Sequence, residues 1–174
     1  MNKINFKKGF TLLEALVATS ILMVAVAAPI TIAQKGLSSA VYSKNQMIAS
    51  YLAQDAIEYI MNIKDETAIA NIGSASPSPW LGSLINCVGE DVSCAIDTVV
   101  DSGLGKIEPD KEDDFLYKED TNGFYGYTAG GATLTNFKRE INITETDPNV
   151  SALITATSSW NGGEMVVRTL IYNY

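Results

Sequence analysis

Lys7-Lys8-Gly9-Phe10-Thr11-Leu12-Leu13-Glu14-Ala15-Leu16-Val17-Ala18 opens an apolar run that ends near Ala33. From Phe10 to Ala33 there are 24 residues with a single formal charge, Glu14. A helix of that length, at about 1.5 Å per residue, covers a hydrocarbon core of about 30 Å. Lys3, Lys7 and Lys8 stand just before it, and by the positive-inside rule they hold the first residues in the cytoplasm and send the rest outward. Glu14 sits one turn into the run, where an ionised carboxylate with no partner costs on the order of 2.5–3.5 kcal/mol on insertion scales. It therefore needs a partner.

Two simpler readings fit part of this pattern. A Lys-rich start, an apolar run and Ala25-Val26-Ala27-Ala28 also describe a secretory signal with a small-residue cleavage site, but Glu14 inside the run argues against it. A plain single-pass anchor explains the length but not why Gly9-Phe10 and Glu14 stand together. The arrangement resembles the N-terminus of type IV pilins and pseudopilins. The resemblance implies that a prepilin peptidase cuts after Gly9 on the cytoplasmic side, that Phe10 becomes an N-methylated N-terminus, and that Glu14 guides subunits into a helical filament. The amine freed at Phe10, on the same chain or a neighbour, would then supply the charge opposite Glu14 and lower the cost of burying both. Beyond this segment the resemblance is one of layout.

The layout divides into a leader at 1–9, a membrane or filament-core segment at 10–33, an amphipathic continuation at 34–66 and an exported head at 67–174. The chain has 174 residues, so the part beyond the span is the size of one domain. Loss of Lys3, Lys7 and Lys8 with the leader takes the formal charge from −8 to −11. So acidic a subunit lacks the basic patch that releases counterions from a phosphate backbone, and direct nucleic-acid binding is not expected. There is no histidine, which removes Ser-His-Asp and Cys-His nucleophiles, and no phosphate-binding glycine loop is present. Acidic pairs suited to glycoside chemistry remain, with nothing to single out two of them. The chain is read as a non-enzyme.

Val41, Ile48, Leu52, Ala56, Tyr59 and Ile63 recur at helical spacing, while Lys44, Gln46, Gln54, Glu58 and Lys64 fall mainly elsewhere. An amphipathic helix is expected to about Glu66. Pro29 and Gly36 should bend or locally melt it, because proline removes a donor and crowds the preceding turn. The C-terminal third reads as strands at about 133–145, 150–160 and 164–172, separated by Asp147-Pro148-Asn149 and Asn161-Gly162-Gly163. Phe137, Arg139, Ile141 and Ile143 share one parity, with Arg139 the exception on an apolar face. Ile154, Ala156, Val167 and Ile171 are the expected neighbours. The fold class is α+β, pilin-like: a long N-terminal helix packed on a C-terminal antiparallel sheet.

Asn71 to Asn122 is the least legible stretch. Ser74 to Pro79 is a loop by composition, and Asp110-Lys111-Glu112-Asp113-Asp114 is an acidic run whose alternatives are a calcium site and a solvated surface. Asp120-Thr121-Asn122-Gly123 imitates the opening of an EF-hand without its closing glutamate. No cofactor is expected. Cys87 and Cys94 are the only cysteines; outside the cytoplasm they are expected to form a disulfide, and without histidine or C-x-x-C a zinc site is not. Trp80, Tyr125, Tyr127 and Trp160 are read as core rather than as a sugar or protein contact.

The Leu12 to Ala18 start, the early proline and Ser158-Ser159-Trp160 in a strand look more like minor pilins of the PilV type, or the corresponding minor pseudopilins, than like an abundant shaft pilin. The resemblance implies a structural or priming subunit of a type IV pilus or related filament. Its partners would be the prepilin peptidase, other pilin or pseudopilin subunits and inner-membrane assembly machinery. The subunit would be a single-pass inner-membrane protein before assembly. The alternatives are a minor pseudopilin of a type II secretion system and an anchored extracytoplasmic enzyme or binding domain.

Overall fold

A computed structural model describes residues 9–89, 92–98, 107–109, 114–127 and 129–174. Helix α1 spans Leu12–Asn71. A 3-10 turn at Gly82–Cys87 follows, then strands β1 Cys94–Ile96, β2 Ile107–Pro109, β3 Phe115–Glu119, β4 Tyr125–Gly126, β5 Ala132–Asp147, β6 Ser151–Trp160 and β7 Gly163–Tyr172. The chain divides into two compact units, Met1–Ser43 and Lys44–Tyr174.

In the first unit α1 is exposed at every described residue. Three hydroxyls of the apolar run are satisfied within the helix: Thr19 Oγ1 donates to the Ala15 and Leu16 carbonyls, Ser20 Oγ to Val17 and Thr31 Oγ1 to Ala27. Such back-bonding hides the polar atoms that an apolar solvent would penalise. Among the described residues α1 is the one helix long and apolar enough to cross a membrane. The helix is not melted at the expected place: α1 continues through Pro29 and Gly36. One missing donor at Pro29 removes a single ladder bond and leaves the neighbouring turns intact.

In the second unit α1 buries Ala49, Leu52, Ala53, Ala56, Ile57, Ile60 and Lys64, an i, i+3, i+4 stripe. Three alanines let the helix approach closely, and Ala53, Ala56, Ile57 and Ile60 share one core with Ile141, Ile143, Ile154, Ala156 and Ile171 of the sheet. Full burial of an isoleucine such as Ile60 contributes about 1.5–3 kcal/mol. The stripe is rotated from the expected one. Leu52 and Ala56 lie on it, Ile48, Tyr59 and Ile63 lie at its margins, and Val41 is 51 % exposed. Lys64, expected off the face, is only 7 % exposed; its stem packs inward while Nζ reaches Asp65 Oδ1 at 3.1 Å and lies 3.7 Å from the Tyr174 ring centre. The helix also runs beyond Glu66 to Asn71, whose side-chain amide brackets Ser78 through two hydrogen bonds.

The sheet is antiparallel throughout its named strands, with β5 at its centre. One edge of β5 pairs with β6 from Lys138↔Ser159 to Asp147↔Ser151. The other pairs with β3 near Thr133 and with β1 at Cys94↔Ile141. β7 pairs with β6, β2 with β1, and β4 with β3. The last three strands form the expected meander. Asn161-Gly162 make the two-residue turn between Trp160 and Gly163, with Gly162 at φ 121°. Phe137, Arg139, Ile141 and Ile143 are all buried on one face of β5, as their parity requires. The correction is in the number of strands: β1, β2 and β3 come from the stretch where the sequence showed none. β1 and β2 have three residues each, too few for a period-two pattern to register.

Candidate functional site

Gly9, Phe10 and Thr11 precede α1 and are not helical. Thr11 closes the helix start. Its Oγ1 accepts the Glu14 backbone N–H at 3.2 Å, and its carbonyl accepts the Ala15 N–H at 3.1 Å. Thr11 is therefore the N-cap and Glu14 the N3 residue, the spacing of a capping box. A carboxylate in the first turn also faces the positive end of the helix dipole. Gly9, Phe10 and Glu14 thus lie within one turn of the helix start. Phe10 is 74 % exposed. The capping role of Thr11 was missed from sequence, although Thr-x-x-Glu ahead of an apolar run signals it.

Within the head, polar density concentrates on Arg139. The side chain is wholly enclosed. Nη1 donates to Asp55 Oδ2 at 2.9 Å and to the Leu52 carbonyl at 3.3 Å, and Nη2 donates to the Ile96 carbonyl. Thr98 Oγ1 donates to the same Asp55 oxygen at 2.6 Å. Tyr127 donates its hydroxyl to the Arg139 carbonyl and its backbone N–H to Asp97. Burial pushes the Tyr127 phenol above its ordinary range, opposed by the attraction of Arg139. The cluster ties α1, β1 and β5 together, and its chemistry is that of a joint. Beside it lies an open cleft of about 560 Å³ with Tyr51, Asp55, Thr98, Glu119 and Phe124 on its walls. Asp55 is already engaged by Arg139 and Thr98.

Trp80, Tyr125, Tyr127 and Trp160 are packing elements. Tyr125, Tyr127 and Trp160 join Phe137 and Leu116 in a second core cluster, with Tyr125 edge-on to Phe137 at 6.2 Å. Trp80 packs on the main core and donates Nε1–H to Glu145 Oε1 at 3.1 Å.

Cys87 and Cys94 are bonded, with S–S 2.03 Å and Cα–Cα 5.8 Å. Both are fully buried, so the bond fastens the 3-10 turn to β1 inside the core. Of the acidic run considered for calcium, residues 110–113 lie outside the described residues. Asp120 to Gly123 form the β3–β4 turn: Asp120 Oδ1 accepts from Thr133 and Asn122 Oδ1 from the Phe124 N–H. Among the described residues no group of three or more Cys, Asp or Glu side chains is placed to hold a metal ion.

Residues 4–28 match the prokaryotic N-terminal methylation motif. The N-terminus therefore carries a prepilin-type start, the signature of type IV pilins and pseudopilins, which implies processing by a peptidase and an assembly context. No curated protein and no solved structure matches the chain at a significant level. The motif, one membrane-length helix and the α+β head together support a filament-forming, structural role.

Proposed function

We propose that the chain is a minor pilin-like subunit, cut by a prepilin peptidase after Gly9, N-methylated on Phe10 and built through α1 into a type IV pilus or related filament. Its role is structural or priming and not catalytic. Before assembly it sits in the inner membrane as a single-pass protein with its head outside. The observation that carries this reading is the methylation motif at 4–28 running directly into a helix whose first unit is exposed at every described residue. So much bare apolar surface needs a bilayer or packed helices of other subunits. Glu14 is assigned as the assembly carboxylate, paired with the Phe10 amine that cleavage creates.

The test is the intact mass of the protein extracted from membranes, together with its presence in sheared filament fractions. The expected product begins at Phe10 and carries one methyl group. A mature terminus at Ala28 would instead establish a secretory signal and remove the filament reading.

A further inference from the structure

The bond after Gly9 lies in non-helical backbone, and α1 begins at Leu12. What stops the helix there is Thr11. The Leu12 to Ala18 sequence that follows is strongly helix-forming, whereas Gly9, Phe10 and Thr11 before it are weaker formers, so the Thr11 cap acts together with a fall in propensity at the helix start. Phe10 offers no side-chain acceptor, and Gly9, although glycine caps about as well as threonine, would have to cap a helix two residues longer with Phe10 in its first turn. Among the described residues Thr11 is the one whose side-chain oxygen caps a first-turn N–H, that of Glu14 at 3.2 Å. Among the described residues nothing lies within 4 Å of the position a Cβ would take on Gly9.

We propose that Thr11 is a positioning residue for leader removal: its cap halts α1 short of the Gly9–Phe10 peptide and presents that peptide outside the helix. Hydrolysis adds one water. The Gly9 C–N bond breaks, the water oxygen joins the Gly9 carbonyl carbon, and the Phe10 nitrogen leaves as an amine that takes up a proton. A peptidase must reach that carbonyl carbon. Without the cap, α1 grows backwards to Phe10 with Gly9 as its next cap, and the Gly9 carbonyl becomes the acceptor of the first helical bond. The inference rests on cleavage after Gly9.

The experiment is pulse-chase of the full chain in its host, reading precursor and mature masses. The variants are Thr11→Val, which matches the shape without an acceptor, and Thr11→Ser and Thr11→Asn, which restore one. Serine and asparagine variants are expected to mature at the wild-type rate. The valine variant is expected to mature about fivefold more slowly, the rate equivalent of a typical cap of about 1 kcal/mol. In detergent, NMR shifts of Gly9 and Phe10 in the uncut valine variant should turn helical, and those of the serine variant should not. Wild-type maturation of the valine variant would overturn the inference while leaving the processing reading intact. Slowing by serine and asparagine to the level of valine would overturn it as well, since the peptidase would then be reading threonine itself. Failure of the wild-type chain to be cut at Gly9 would remove the processing reading on which it rests.

Discussion

Arg139 Nη1 lies 2.9 Å from Asp55 Oδ2, a hydrogen-bonded ion pair that joins the buried face of β5 to α1 across 84 residues of sequence. The guanidinium is fully enclosed while the carboxylate keeps about half its exposure. The two partners therefore carry unequal risk. Removing Asp55 strands a buried charge, whereas removing Arg139 leaves a carboxylate that water can reach.

Asp55→Asn is accordingly expected to cost about 3 kcal/mol, toward the lower end for breaking a buried pair because amide oxygen and carbonyl acceptors remain. Arg139→Met in the Asp55→Asn background should recover part of the loss by exchanging the stranded charge for apolar volume. Urea unfolding of the detergent-solubilised chain reads both. A double variant no more stable than Asp55→Asn would show that the pair is not what the enclosure of Arg139 depends on.

Replacing both cysteines by alanine should destabilise the head by about 2.5 kcal/mol, the chain-entropy value for so short a loop. Both sulfurs are buried, so reduction of the native protein should be slow until the head opens. Non-reducing peptide mapping of protein from its own compartment should recover Cys87 and Cys94 in one linked pair. Free thiols at both positions would contradict the bond seen between them.

The sequence made some of these features legible and hid others for physical reasons. The parity of Phe137, Arg139, Ile141 and Ile143 exposed Arg139 as a charge on a core face, because strand periodicity is local. Its partner Asp55 was not readable, since nothing local connects residues 84 positions apart. Leu52 and Ala56 announced the helix face, but large residues at Tyr59 and Ile63 drew the expected stripe off centre. The contact is built instead on Ala49, Ala53 and Ala56, whose small size carries little weight in a hydrophobicity pattern. At the N-terminus the pattern lies in contiguous residues, so the methylation motif at 4–28 could be read directly.

Alkaline solution should weaken the head. Burial raises the Tyr127 phenol, with Arg139 pulling the other way. Lys64 is also raised: its partial burial opposes the charge, but the Tyr174 hydroxyl and Asp65 outweigh it. For both groups the folded value lies above the unfolded one, so their contribution is complete below the unfolded value, about pH 10 for each, and is lost as pH rises through the folded value. Melting temperature should therefore fall from about pH 10 upward. Tyr127→Phe should lose about 1 kcal/mol at neutral pH with the hydroxyl bond and show a shallower alkaline decline. An unchanged decline would assign the loss to other groups.

Glu14 carries the sharpest prediction, because two roles meet in it. At N3, the position a capping box gives its acid, it would support the helix start, a role that glutamine fills as well as glutamate. As the proposed assembly carboxylate it would have to be charged, and glutamine would not serve. Glu14→Leu removes both roles, and Glu14→Gln removes only the charge. Membrane insertion should be no worse in either variant, since an expensive ionised group is gone from the apolar run. Cleavage after Gly9 should persist in Glu14→Gln, where Thr11 still caps α1. Incorporation into filaments should fail in both, because the Phe10 ammonium would be buried between helices without a counter-charge, a penalty of about 3–5 kcal/mol. The measurement compares wild-type and variant protein in sheared filaments and in membranes. If Glu14→Gln is incorporated at the wild-type level and Glu14→Leu is not, the residue acts through the helix cap and the charge-pairing role is wrong. If both are incorporated normally, Glu14 has no part in assembly.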